Sequence, residues 1–136
     1  MAVSEFIGLD VGKARTGFAR GSAEAKIAEP LQTVPTEEAI AKLKNYVESG
    51  LAGVVVGLPR SLAGSETDQT AWVRDWVDQA KKEVNTIFYW QDEALSTKIA
   101  EAKAAGGKKI KDIDSLAAAI ILQDFFDTPE DMRTIC

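Results

Sequence analysis

The sequence predicts an α/β fold in which helices cover one mixed β-sheet, and three observations carry that expectation. Short apolar runs near the start are joined by glycine-bearing turns, which favours antiparallel pairing. After Pro35, apolar residues at helical spacing alternate with β-branched runs, the pattern of a sheet covered by helices. The chain has 136 residues, 46% hydrophobic and 27% charged. That suits one domain spanning 1–136, with enough apolar residues to bury a core.

The elements follow in order. Phe6-Ile7-Gly8-Leu9 is a strand that ends at Asp10 and turns through Val11-Gly12. Thr16–Ala19 is a second strand, and a third lies within Lys26–Val34, where Pro30 points to an edge or irregular position. Thr36, followed by Glu37 and Glu38, opens a helix with a hydroxyl cap and acids at the positive end of the dipole. Ile40, Leu43, Val47 and Leu51 give it one buried face, and Gly50 stops it. Val54-Val55-Val56, β-branched throughout, reads as a central strand ending at Gly57-Leu58-Pro59. Ser65–Glu83 is an amphipathic helix with Val73, Trp76, Val77 and Ala80 inside. Thr86–Trp90 is a strand that runs into Asp92-Glu93. Ser96–Ala105 is a short helix, Gly106–Lys109 a basic loop, and Asp112 or Asp114 opens a last, largely apolar helix through Phe126.

Composition narrows the chemistry. There is no histidine and one cysteine, Cys136. Ser-His-Asp and Cys-His catalysis, histidine acid–base chemistry, an intramolecular disulfide and the common zinc sites are thereby excluded. No apolar stretch reaches the roughly 20 residues of a membrane span. Residues 1–5 lack the basic-then-apolar pattern of a secretory signal, so a cytoplasmic protein is expected. The net charge is −5 and the pI about 4.8, so a nucleic-acid partner would need a local basic patch.

Carboxylates remain. Asp10 follows the first strand, Asp92 and Glu93 follow the last, and Asp114 stands at the start of the final helix. Sites in open α/β sheets form beyond the carboxyl ends of the strands, where Asp10, Glu93 and Asp114 can converge. Three such groups in one cleft repel one another unless a cation binds, and Mg²⁺ or Mn²⁺ suits oxygen ligands. Taken singly, each acid has an ordinary explanation: Asp10 as a turn residue before Gly12, Asp92 and Glu93 as solvated ends, Asp114 as a helix cap. Lys13, Arg15 and Arg20 lie close to Asp10 in sequence, and Lys108, Lys109 and Lys111 precede Asp114. Those groups, with Arg60 after Gly57-Leu58-Pro59, are candidates for phosphate contacts, and solvated loops explain them equally. Trp72, Trp76 and Trp90 could stack on bases. Trp76 has core spacing.

Four segments, in order, resemble motifs of the YqgF/RuvX family. Ile7–Gly12, continuing to Arg15-Thr16-Gly17-Phe18-Ala19, is similar to its opening "GLDxGxxRxGxA". Val55–Pro59 with Gly64 is similar to "VVGLPxxxxG", Asp92–Thr97 to "DERLST", and Asp114–Gln123 to "DxxAAxxILQ". The resemblance covers nearly the whole chain. It implies an RNase H-like fold with a five-stranded mixed sheet, the first three strands antiparallel. It implies Asp10, Glu93 and Asp114 as catalytic metal ligands for Mg²⁺ or Mn²⁺. By their placement, Lys13, Arg15, Arg60, Lys109 and Lys111 are the candidates for substrate binding. The expected activity is metal-dependent hydrolysis of structured nucleic acid. The favoured substrate is the 5′ end of the 16S ribosomal RNA precursor. Alternatives are a Holliday junction resolvase on branched DNA and a non-catalytic RNA-binding or transcription-associated factor. Oligomeric state stays open between monomer and homodimer. In the "DER" motif the arginine is replaced by Ala94; if that arginine contacts phosphate, binding here is weaker or supplied by Arg60 or Lys98.

Overall fold

Side-chain alternation along the first strand assigns the two faces of the sheet. In the computed structural model, which describes residues 4–59, 64–93 and 112–136, β1 spans Glu5–Val11. Ile7, Leu9 and Val11 join one buried cluster, and Phe6 joins another on the opposite face. Gly8 and Asp10 share the parity of Phe6, since side chains alternate along a strand.

β1 pairs antiparallel with β2 (Arg15–Ser22), and β2 with β3 (Ile27–Pro35). β3 is an edge strand, which accommodates Pro30, and a bulge interrupts its pairing at Phe18/Ala19. Helix α1 (Thr36–Glu48) crosses to β4 (Gly53–Pro59), which pairs parallel with β1. Helix α2 (Asp68–Glu83) crosses to β5 (Phe88–Glu93), parallel to β4. The sheet order is β3-β2-β1-β4-β5-β6. The antiparallel opening and the mixed sheet are as the sequence predicts.

Helices sit on both faces. Ala39 and Leu43 of α1 and Val73, Trp76, Val77 and Ala80 of α2 pack on Ile7, Leu9, Val54 and Val56. On the other face lies α3 (Ile113–Asp127), whose Ala118, Ile121, Leu122, Phe125 and Phe126 meet Phe6, Ala19 and Val55. Trp76 is core, and Trp72 packs part-buried beside it. Val54, Val55 and Val56 are fully buried, as a strand covered on both faces requires.

Several boundaries differ from the expectation. Among the described residues the sheet has six strands rather than the expected five. A two-residue strand, β6 (Thr134–Ile135), pairs with Tyr89 and Trp90 of β5. So short a strand carries no periodicity, and only its pairing defines it. β1 continues through Asp10 to Val11, so Asp10 lies in the strand, not in the turn. Thr36 is not the cap of α1; Pro35 holds that position without a side-chain bond. The Thr36 hydroxyl instead donates to Gly12 O at 2.5 Å and lies 2.9 Å from Thr16 Oγ1. The start of α1 therefore clamps the β1–β2 turn. Helix α2 begins at Asp68, after a capping box formed by Thr67 and Thr70, rather than at Ser65. The expected helix at 96–105 and the basic loop at 106–109 lie outside the described residues.

Candidate active site

Two glycines let α3 come down on the sheet. A Cβ at Gly17 would stand 1.9 Å from Asp114 O, and one at Gly8 would meet Leu122 Cβ at 2.7 Å and Ala118 O at 2.9 Å. Neither contact is sterically possible for a larger residue without displacing the helix. Gly17 is also the direct cross-strand partner of Asp10. The main chain of Asp114 thus fills the gap beside Asp10 that a side chain on β2 would occupy.

The first turn of α3 is held from the other side by Asp112. Its carboxylate accepts from Ser115 N at 3.1 Å and from the Thr33 hydroxyl on β3. Burial alone would raise this carboxyl, yet the bonds from Thr33 and Ser115 carry it below the usual carboxylate range. Asp112 is the cap of α3, which disposes of the ordinary explanation for Asp114. Asp114 sits two residues into the helix with its side chain 30% exposed.

The Asp10 and Asp114 carboxylates feel one another. The Asp10 carboxyl is pushed up to about 6, first by burial and then by the negative charge of Asp114. Arg15, at the start of β2, donates from Nε to Asp114 Oδ2 at 3.0 Å. Sequence reading places Arg15 near the site through its proximity to Asp10; its pairing with a residue 99 positions away is visible only in the fold. The same applies to Gly17, which the motif marks but whose role is steric.

The other candidates fall as follows. Lys13 is exposed in the β1–β2 turn, beyond Asp10. Arg20 does not join the site. It pairs with Glu5 at 2.7 Å, at the far end of the β1–β2 ladder from Asp10 and Gly17. Asp92 lines a groove of about 510 Å³ with Leu58, Trp90 and Arg74, residues of the α2 side of the sheet, away from α3. Arg74 lies over the Trp90 ring at 5.4 Å and is ion-paired with Glu66 at 2.9 Å. Glu93 ends β5 in register with Pro59, at the same carboxyl end of the parallel strands as Asp10. The rung Leu9–Val56–Trp90 runs across β1, β4 and β5. Position 93 is therefore about 10 Å across and about 7 Å further along than Asp10, from standard strand spacings. Among the described residues no three acids gather as a metal cluster. Arg60, Ala94, Lys98, Lys109 and Lys111 lie outside the described residues.

The architecture is the RNase H-like fold, with paired carboxylates where its open sheet ends. The chain belongs to the RuvX family: the family model described as "RuvX: Holliday junction resolvase" matches residues 4–128. Curated relatives named "Putative pre-16S rRNA nuclease" include one from Chloroflexus aggregans, 42% identical over 130 residues, 89% of this chain and 92% of the relative. Another, from Fusobacterium nucleatum, is 35% identical over 137 residues, 92% of this chain and 98% of the relative. Among solved structures, Thermus thermophilus RuvC in complex with a Holliday junction substrate is similar in fold. It superposes with a TM-score of 0.59 at 16% identity, over 98% of this chain and 99% of RuvC.

Proposed function

We propose that this chain is a metal-dependent nuclease of the cytoplasm that hydrolyses phosphodiester bonds, acting on the 16S ribosomal RNA precursor. The observation that carries the reading is the seating of the Asp114 main chain on Gly17, the cross-strand partner of Asp10, at the carboxyl end of β1. Two hard oxygen donors on neighbouring elements, one of them raised by burial and then by the other's charge, fit a divalent cation, which would relieve their repulsion. Asp10 and Asp114 would hold Mg²⁺ or Mn²⁺, with Glu93 as the third acid. Such ions in this class of site activate water and stabilise the leaving oxygen.

The protein's own residues do the rest. Asp112 and Gly17 fix the backbone at Asp114, so the ligand is presented without searching. The clamp of Thr36 on Gly12 does the same for the turn after Asp10, where Lys13 and Arg15 meet the substrate phosphates. Arg60, Lys109 and Lys111, outside the described residues, are further candidates for phosphate contact by sequence. The absence of histidine is compatible with this chemistry, because neither the water nor the leaving group needs an imidazole. The names of the relatives support the RNA substrate.

Branched DNA is the second reading, favoured by the family description and by the fold shared with RuvC. It calls for a symmetric dimer, so that two strands are cut at matched points. Incubating wild type and Asp10→Asn with precursor RNA and with a four-way DNA junction, in Mn²⁺ and in chelator, separates the readings. RNA trimming that needs Mn²⁺ and vanishes in Asp10→Asn is the expected result. Unchanged cleavage in that variant, or in chelator, sinks the mechanism. Cutting of the junction alone moves the substrate to DNA.

A further inference from the structure

The Asp114 carboxylate has a cation beside it before any metal arrives. Arg15 Nε bonds Asp114 Oδ2 at 3.0 Å, and the Arg15 side chain is 69% exposed. Arg15 shares the strand parity of Gly17, so it reaches Asp114 on the α3 face, the face to which Asp10 belongs. We propose that the Arg15 guanidinium and the divalent ion compete for Asp114, so that metal loading frees Arg15 to bind a substrate phosphate. The proposal rests on the nuclease reading above and gives Arg15 two successive partners.

The strength of the pair decides in favour of exchange over a permanent lock. An ion pair this exposed is weak and yields readily to a doubly charged ion. A buried pair would resist displacement. Arg15 also leaves the electrostatic problem half solved. Its Nε bonds Asp114, while Asp10 stands opposite Gly17, on which the Asp114 main chain rests, so an ion that touches both carboxylates gains where a guanidinium on one does not. Once displaced, the guanidinium keeps its planar fork of donors, which matches a phosphate as well as it matches a carboxylate. Metal-free protein therefore holds its phosphate-binding group back, and metal-loaded protein presents it.

Calorimetric titration of Mn²⁺ into the wild-type chain, Arg15→Gln and Arg15→Lys tests this. Removing the competitor should tighten Mn²⁺ binding by about two- to fivefold in Arg15→Gln, the range an exposed pair accounts for. Arg15→Lys, which keeps the charge without the fork, should stay nearer wild type. In cleavage assays with saturating Mn²⁺, Arg15→Gln should raise KM for RNA more than it lowers kcat. If Arg15 merely steadied Asp114, the Gln variant would bind Mn²⁺ more weakly; that sign, or unchanged affinity, overturns the exchange. So does an unchanged KM. A wild type that binds no Mn²⁺ overturns the nuclease reading itself and the exchange with it, a result distinct from the others. Melting curves of both variants verify the fold, and the exposed position of Arg15 leaves it little changed.

Discussion

Asp10 pays for its position with instability. Its carboxyl titrates near 6 in the folded chain against 3.8 for an unperturbed aspartate, chiefly because it is buried and secondarily because Asp114 is charged. The folded state therefore holds this proton more tightly than the unfolded state between those values. Stability falls as pH rises through that window, and the full cost, about 2–3 kcal/mol, is borne above it. Asparagine carries no charge to desolvate. Asp10→Asn should melt about 5–10 °C above wild type at about pH 7.5 in chelator, and at the same temperature at about pH 3.5. Equal melting at the higher pH would show that the carboxylate is not strained there. A residue whose removal stabilises the fold while abolishing cleavage is the signature of a functional group rather than a structural one.

At the scale of elements, the contact that matters is between α3 and β2. Gly17 has an ordinary place in a strand, and strand propensity alone would favour a β-branched residue there. The helix forbids it, because Asp114 O occupies the space. Gly17→Ala should cost at least about 2 kcal/mol by denaturant unfolding, the range of overpacked sites, and should weaken Mn²⁺ binding by shifting Asp114. A variant as stable as wild type with the same metal affinity would mean that the helix seats elsewhere. The contact also marks the limit of sequence reading. The central strand at Val54–Val56 is legible because burial on both faces leaves an unbroken β-branched run, and the buried face of α2 because burial on one face imposes helical periodicity. The choice of Asp112 over Asp114 as cap is a local matter that the sequence leaves open between the two, whereas the steric role of Gly17, the bond from Thr33 to Asp112 and the Thr36 clamp depend on partners 20 to 97 residues away and leave no local signal.

For the whole molecule, topology does what no single segment can. Asp10 and Asp114 are brought together because β1 lies inside the sheet and α3 crosses its open face. The acids of the sequence were readable as candidates; their meeting required the sheet order. A net charge of −5 also means that the molecule as a whole repels a polyanion, so binding must come from local charge. An ion that binds only the folded state stabilises it by mass action, about 2.7 kcal/mol at a hundredfold excess over its dissociation constant. Mn²⁺ should therefore raise the melting temperature of wild type, and the rise should be lost in Asp10→Asn. A rise of equal size in the variant would locate the ion away from this cleft.

The seat beneath Asp114 is made by its main chain, since it is the carbonyl oxygen, not the carboxylate, that rests in the hollow at Gly17. Support and chemistry are thus carried by different atoms of one residue. A protein engineer could exchange the group displayed at position 114, for glutamate, asparagine or a softer donor, and leave the scaffold beneath it untouched.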